Sequence, residues 1–125
     1  MNYMHTLSFL AVAVFTVTGQ LLVKMALTKY GTIPETFVEK AAYLARVLLD
    51  PLIILGFGSA FAASLVWLAI MSRFDLSFAY PYMIACLTLA TAISGYMFLN
   101  ESITRTSLIG TAFIIAGVLL MSVKQ

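Results

Sequence analysis

Four apolar stretches, each close to the length a helix needs to cross a bilayer, decide what this chain can fold into. About 20 predominantly apolar residues span the hydrocarbon core. The stretches at about 6–27, 51–72, 78–99 and 108–123 approach or exceed that length, the fourth being the shortest. In lipid every backbone N–H and C=O must be satisfied within the chain, so runs of this kind form helices. The fold class expected is an all-α membrane protein, with residues 1–125 forming a single four-helix transmembrane domain. Composition agrees: 62% of the residues are hydrophobic and 10% charged, with a mean hydropathy of +1.04. A soluble domain carries about 25% charge. The net charge of +2 supplies no polybasic tract for nucleic acid. The first run lacks a basic leader, since only His5 precedes it, and it exceeds the usual apolar region of about 7–15 residues in a signal peptide. It reads as a retained transmembrane helix.

The joints carry turn chemistry. Pro51 suits a first helical turn, where its missing N–H costs nothing, and Asp50 before it can cap the free N–H groups. The connections Arg73-Phe-Asp-Leu-Ser77 and Asn100 to Ser107 are short. Short joints make neighbouring helices antiparallel, which gives an up-down bundle. The first connection, Thr28 to Asp50, is long. Within it Phe37, Val38, Ala41, Ala42, Leu44, Ala45 and Leu48 recur at near-helical spacing, with Glu35, Glu39, Lys40 and Arg46 elsewhere. That pattern predicts an amphipathic helix, either lying in the membrane interface or covering the end of the bundle. Lys29, Lys40, Arg46 and Arg105 fall on one side of the membrane, with Lys24 near it; Arg73 and Lys124 fall on the other. The positive-inside rule then puts the first and third connections in the cytoplasm and both termini outside. The margin is only a few charges, so insertion in both orientations stays open.

Polar residues inside the spans report the interior. Thr16, Gln20 and Lys24 are spaced i, i+4, i+8 and form one stripe on the first span. A lysine at the bilayer centre costs about 2.5–3.5 kcal/mol on insertion scales. Lys24 lies nearer the exit, so two readings stand: it snorkels to the headgroups, or it is the cation at the mouth of a polar groove. None of the five acidic residues lies centrally in a span. A proton-coupled exporter of cations needs a carboxylate there, and the intramembrane charge legible here is positive. Tyr80 and Tyr82 flank Pro81 at interface depth, where tyrosine is common, or else touch substrate. Trp67, two turns from the centre of the small-residue seam of Gly56, Ala60 and Ser64, packs the bundle or flanks a pocket. Ala85, Thr88, Thr91, Ala92 and Gly95 form a small, weakly polar face of the kind that permits close helix contact. Gly110 and Gly117, seven apart on the fourth span, offer a face for self-association. Cys86 is the only cysteine, which excludes an intrachain disulfide and a cysteine metal site; it reads as a small buried hydrophobe. His5 stands alone. No nucleophile–base pair, metal cluster or phosphate loop can be assembled, so the reading is not an enzyme and calls for no cofactor.

The segments GQLLVKMA at 19–26, Trp67-Leu-Ala-Ile70 with DLSFAYP at 75–81, Leu99-Asn-Glu-Ser-Ile-Thr104, and Gly110-Thr-Ala-Phe-Ile-Ile-Ala-Gly-Val-Leu-Leu120 cover nearly the whole chain in order. Together they resemble the small multidrug resistance and EamA-type branch of the drug/metabolite transporter superfamily. Within it, Gly19, Gln20 and Lys24 are similar to the Gly-Gln-x-x-x-Lys ending of the first span in the aminoarabinose-phosphoundecaprenol flippase subunits. The multidrug branch carries a glutamate where this chain has Thr16. The resemblance implies a multi-pass protein of the bacterial inner membrane, built as an antiparallel homodimer or heterodimer of four-helix chains. The first three spans would line the pathway and the fourth would make much of the dimer contact. The expected substrate is a polyprenyl-phosphate-linked sugar or similar anionic lipid, with Lys24 on the phosphate and Gln20, Thr16, Trp67, Tyr80 and Tyr82 along the path. Two alternatives are an exporter of small cations, amines or metabolites, and a non-transporting accessory membrane subunit.

Overall fold

The computed structural model describes residues 3–123. Five helices follow one another: α1 (Tyr3–Tyr30), α2 (Phe37–Leu48), α3 (Pro51–Met71), α4 (Leu76–Leu99) and α5 (Arg105–Ser122). Four of them, all but α2, are long and apolar enough to cross a membrane. The protein is thus an all-α, multi-pass membrane protein. α1 extends past its apolar run at both ends, to Tyr3 and Tyr30, because the flanking residues include no proline or glycine before Gly31.

The boundaries follow local chemistry. Asp50 Oδ1 accepts a hydrogen bond from Leu52 N–H at 2.8 Å, with Pro51 opening α3. Asp50 Oδ2 also accepts from the Tyr30 hydroxyl at 2.7 Å, tying the end of α1 to the start of α3. These two bonds hold the Asp50 carboxyl below its ordinary pKa, the Tyr30 bond contributing most and nearby Lys29 adding to it. Thr104 caps α5 by accepting from Ser107 N–H at 3.2 Å. The helix α4 runs on through Pro81. Thr88 and Thr91 satisfy their hydroxyls on carbonyls one turn back, at 2.8 and 2.7 Å, as a polar group in lipid must.

α1 is the centre of the bundle. It packs most extensively against α3 and next against α4, while α5, among the described residues, packs against α4 alone. The α1–α3 contact is close because glycines meet there. A Cβ on Gly19 would lie 2.7 Å from the Gly56 carbonyl oxygen, and one on Gly56 would lie 2.9 Å from the Gly19 oxygen. Bare backbones therefore touch, the small-residue packing that substitutes for hydrophobic drive in lipid. The Ser59 hydroxyl crosses the same seam to the Phe15 carbonyl at 2.6 Å.

Two apolar cores lie at opposite ends. One gathers Phe9, Val12, Ala13, Ala63, Ile70, Ala79 and Met83, and aromatic rings extend it. Phe9 meets Tyr82 edge-on at 4.8 Å, and Phe74 meets Phe9 at 5.7 Å. The other core is Ala26, Val47 and Ile53. Here α2 docks: Val47 is buried, Tyr43 meets Tyr30 edge-on, and the Tyr43 hydroxyl donates to the Gly31 carbonyl at 3.2 Å. The helix thus caps the bundle end through Tyr43 and Val47. Its apolar stripe, with Phe37 86% and Val38 78% exposed, faces outward. Of the two readings of the spacing, the structure shows the cover on the bundle end.

Candidate functional site

The stripe of Thr16, Gln20 and Lys24 lies on the outward edge of α1, between the helices on its two flanks. On the α3 flank a cavity of about 530 Å³ is lined by Thr16, Gln20, Lys24, Gly56, Phe57 and Ala60, among others. It meets a second of about 280 Å³, which shares Thr16 and Ala60 and reaches Ser64 and Trp67. On the α4 flank a smaller cavity of about 150 Å³ is lined by Gln20 and Lys24 again, now with Thr91, Ser94, Gly95 and Glu101. Gln20 and Lys24 therefore serve both flanks. The combined groove is of the size that holds a small polar ligand, about 300–1,000 Å³.

Lys24 is not a lone cation. Its Nζ pairs with Glu101 Oε1. The sequence places Glu101 in a connection, two residues past α4, and neither sequence reading of Lys24 included a partner. The structure adds one: the positive charge of the stripe meets a carboxylate. The turn that delivers Glu101 is local. Asn100 ends α4 in the left-handed region, φ 53° and ψ 33°, a conformation asparagine tolerates better than most residues. Asn100 N–H donates to the Gly95 carbonyl, and Glu101 N–H donates to the same carbonyl at 3.1 Å, so both amides turn back onto the last turn of the helix. The reversal swings the Glu101 side chain along α4 to Gly95. A Cβ at Gly95 would stand 2.6 Å from Glu101 Oε2, so the glycine makes the berth the carboxylate occupies.

Lys24 sits six residues before the end of α1, about 9 Å of helical rise. Its side chain remains 56% exposed and that of Glu101 47%. A pair this open, where water reaches it, contributes only about 0–1 kcal/mol. It balances the charge of both groups. One face of the site is thus polar, electrically balanced and open at the side.

The remaining candidates divide. Trp67 lines the lower cavity and meets Tyr80 edge-on at 6.2 Å, while Tyr80 is itself 56% exposed. Tyr82 points elsewhere, into the aromatic core with Phe9 and Phe78. Among the described residues, Gly110 and Gly117 have nothing within 4 Å of a Cβ built on them, and α5 has no buried residue. Among the described residues, no group of three or more His, Cys, Asp or Glu side chains could hold a metal ion.

Curated relatives match along almost the whole chain. A protein of Serratia proteamaculans (strain 568), named "Probable 4-amino-4-deoxy-L-arabinose-phosphoundecaprenol flippase subunit ArnE", is 35% identical over 113 residues, 90% of each chain. A protein of the same name from Pseudomonas fluorescens is 31% identical over 121 residues, 95% of this chain and 97% of its own. Another, from Proteus mirabilis, is 28% identical over 116 residues. No family model matches the chain, and no solved structure does.

Proposed function

The chain belongs to the 4-amino-4-deoxy-L-arabinose-phosphoundecaprenol flippase subunit family, and from that premise we propose that its groove carries the headgroup of a polyprenyl-phosphate-linked amino sugar across the bacterial inner membrane. The observation that carries this reading is the stripe itself: Lys24, Gln20 and Thr16 line cavities on both flanks of α1. A groove open to the side lets the prenyl tail stay in lipid while the polar end crosses. Lys24 takes the phosphate through charge-assisted hydrogen bonds. Gln20 and Thr16 take hydroxyls deeper along the stripe, and Trp67 offers an apolar wall at its lower end. No covalent step is required, so the role is transport rather than catalysis.

Among the described residues, Gln20 and Lys24 stay exposed and no residue of α5 is buried. A second four-helix chain, identical or similar, closes the groove and packs on α5. Lys29, Lys40, Arg46 and Arg105 crowd the end that bears Lys24, so the positive-inside rule puts loading at the cytoplasmic leaflet. Export of small cations is not favoured, because the stripe's own charge is positive and the carboxylate beside it is paired.

Translocation of a labelled polyprenyl-phosphate aminopentose in membrane vesicles tests this reading. Lys24→Gln should abolish transport at normal protein level, and Lys24→Arg should keep part of it, since guanidinium keeps the charge in a different shape. Full transport by Lys24→Gln would overturn the assignment.

A further inference from the structure

We infer that Glu101 is the specificity residue for a cationic amine on the headgroup, and that the Lys24–Glu101 pair opens around a zwitterion. This rests on the proposed transport role and adds a recognition element to it. The argument begins with charge balance. If Lys24 stood alone, the site would suit any anionic lipid. With Glu101 on it, the site is neutral, and a phosphate can reach Lys24 only by displacing a carboxylate. A headgroup that carries only negative charge then leaves that carboxylate facing a like charge, which is the repulsive element that discriminates among ligands. A headgroup with both phosphate and ammonium exchanges one ion pair for two. Lys24 takes the phosphate, Glu101 takes the ammonium, and no charge is left without a partner. The name of the relatives describes such a molecule: in a sugar linked to phosphate through its first carbon, an amine on the fourth carbon lies across the ring.

The geometry fits the exchange. Both side chains are long, flexible and about half exposed, so they can part without moving the helices. Thr91, Ser94 and Gly95 leave a cavity of about 150 Å³ beside the pair, on the α4 flank where Glu101 would swing. The larger cavity lies on the other flank, on the α3 side of Lys24. The two charges thus front two adjacent spaces rather than one. Gly95 fixes where the carboxylate waits, because any side chain there would push it away.

The test uses membrane vesicles from cells making the full chain, beside vesicles from cells that lack it. Two probes are compared: a polyprenyl-phosphate 4-aminopentose and its N-acetyl derivative, which keeps the phosphate and loses the positive charge. Both keep a vicinal diol, so an impermeant diol oxidant reads their arrival at the outer face. The chain as it stands should favour the amine by at least about tenfold, the change expected from one charge-assisted hydrogen bond. Glu101→Gln should remove that preference, slowing the amine while the N-acetyl lipid is unchanged or faster. Gly95→Ala, which keeps both charges but displaces the carboxylate, should narrow the preference several-fold, and it decides the matter if Glu101→Gln fails to reach the membrane. An unchanged amine-to-acetyl ratio in the variant that is tested overturns the inference and leaves the transport role standing. Equal slowing of both lipids also overturns it, reducing Glu101 to a structural support. Failure of the unaltered chain to move either lipid overturns the transport role, and this inference with it.

Discussion

Replacing Gly19 with alanine tests the architecture on which the groove depends. The new Cβ would stand 2.7 Å from the Gly56 carbonyl oxygen and 3.5 Å from the Ala60 nitrogen. Ordinary contact begins near 3.4 Å, so α1 and α3 must part by about 0.7 Å at this point. Both partners are backbone, so no side chain can rotate away. Overpacking of this kind costs about 1–3 kcal/mol. Alanine also gains about 1 kcal/mol of helix propensity over glycine, which would mask part of the effect. Gly58→Ala removes that ambiguity: it lies on α3, the other helix of the seam, gains the same propensity, and meets nothing within 4 Å among the described residues. The difference between the two variants is then the clash alone. At roughly 4 °C per kcal/mol, Gly19→Ala should melt in detergent about 4–12 °C below Gly58→Ala. Because Gln20 follows Gly19 directly and Lys24 lies little more than a turn on, transport should fall as well. Equal melting points for the two variants would refute the bare-backbone contact.

The helices were legible because lipid imposes a length, and length survives in a sequence. The Asp50 cap and the Pro51 start were legible because both act within two residues. The stripe of Thr16, Gln20 and Lys24 was legible because helical periodicity alone puts it on one face. The sequence could not show what that face meets. Glu101 lies 77 residues from Lys24, and its arrival depends on a left-handed Asn100 and an empty Cβ position at Gly95 acting together. Traces of that turn were present: an asparagine at the end of an apolar run, a glutamate after it, and a glycine six residues before the glutamate. Each is commonplace singly. Tyr82 shows the converse limit. Its depth could be read, but whether it faced the groove or the aromatic core depended on where Phe9 and Phe78 packed. The docking of α2 through Tyr43 and Val47 was hidden for a similar reason, since an apolar stripe shows that a helix has a greasy face and not which part of it is taken.

Gly117→Leu should weaken association of the chain with its four-helix partner while the chain itself stays folded, because no described residue occupies the space beside Gly117; unchanged cross-linking and detergent-phase sizing would place the interface elsewhere. Asp50 gives a pH dependence whose sign is fixed. Its folded pKa lies below the unfolded value of about 3.9, chiefly through the Tyr30 hydroxyl, so its contribution is full above that value and is lost as pH falls through the folded one. Melting curves taken downward from pH 5 should drop less steeply in Asp50→Asn, and parallel curves would refute the assignment. Charge reversal separates pairing from position at the groove. Lys24→Glu alone sets two carboxylates together and Glu101→Lys alone sets two ammonium groups together, so each should lose stability by an amount comparable to the pair, about 0–1 kcal/mol. The double variant restores an ion pair of opposite sense and should recover that stability. It should not recover transport, because the cation would then sit beyond α4 rather than on the α1 stripe with Gln20, and a carboxylate would stand where the phosphate docks. Transport in the double variant at least tenfold below the unaltered chain, at equal stability, is the expected result. Full transport would mean that the pair matters only as a pair, and that the stripe on α1 does not choose where the headgroup binds.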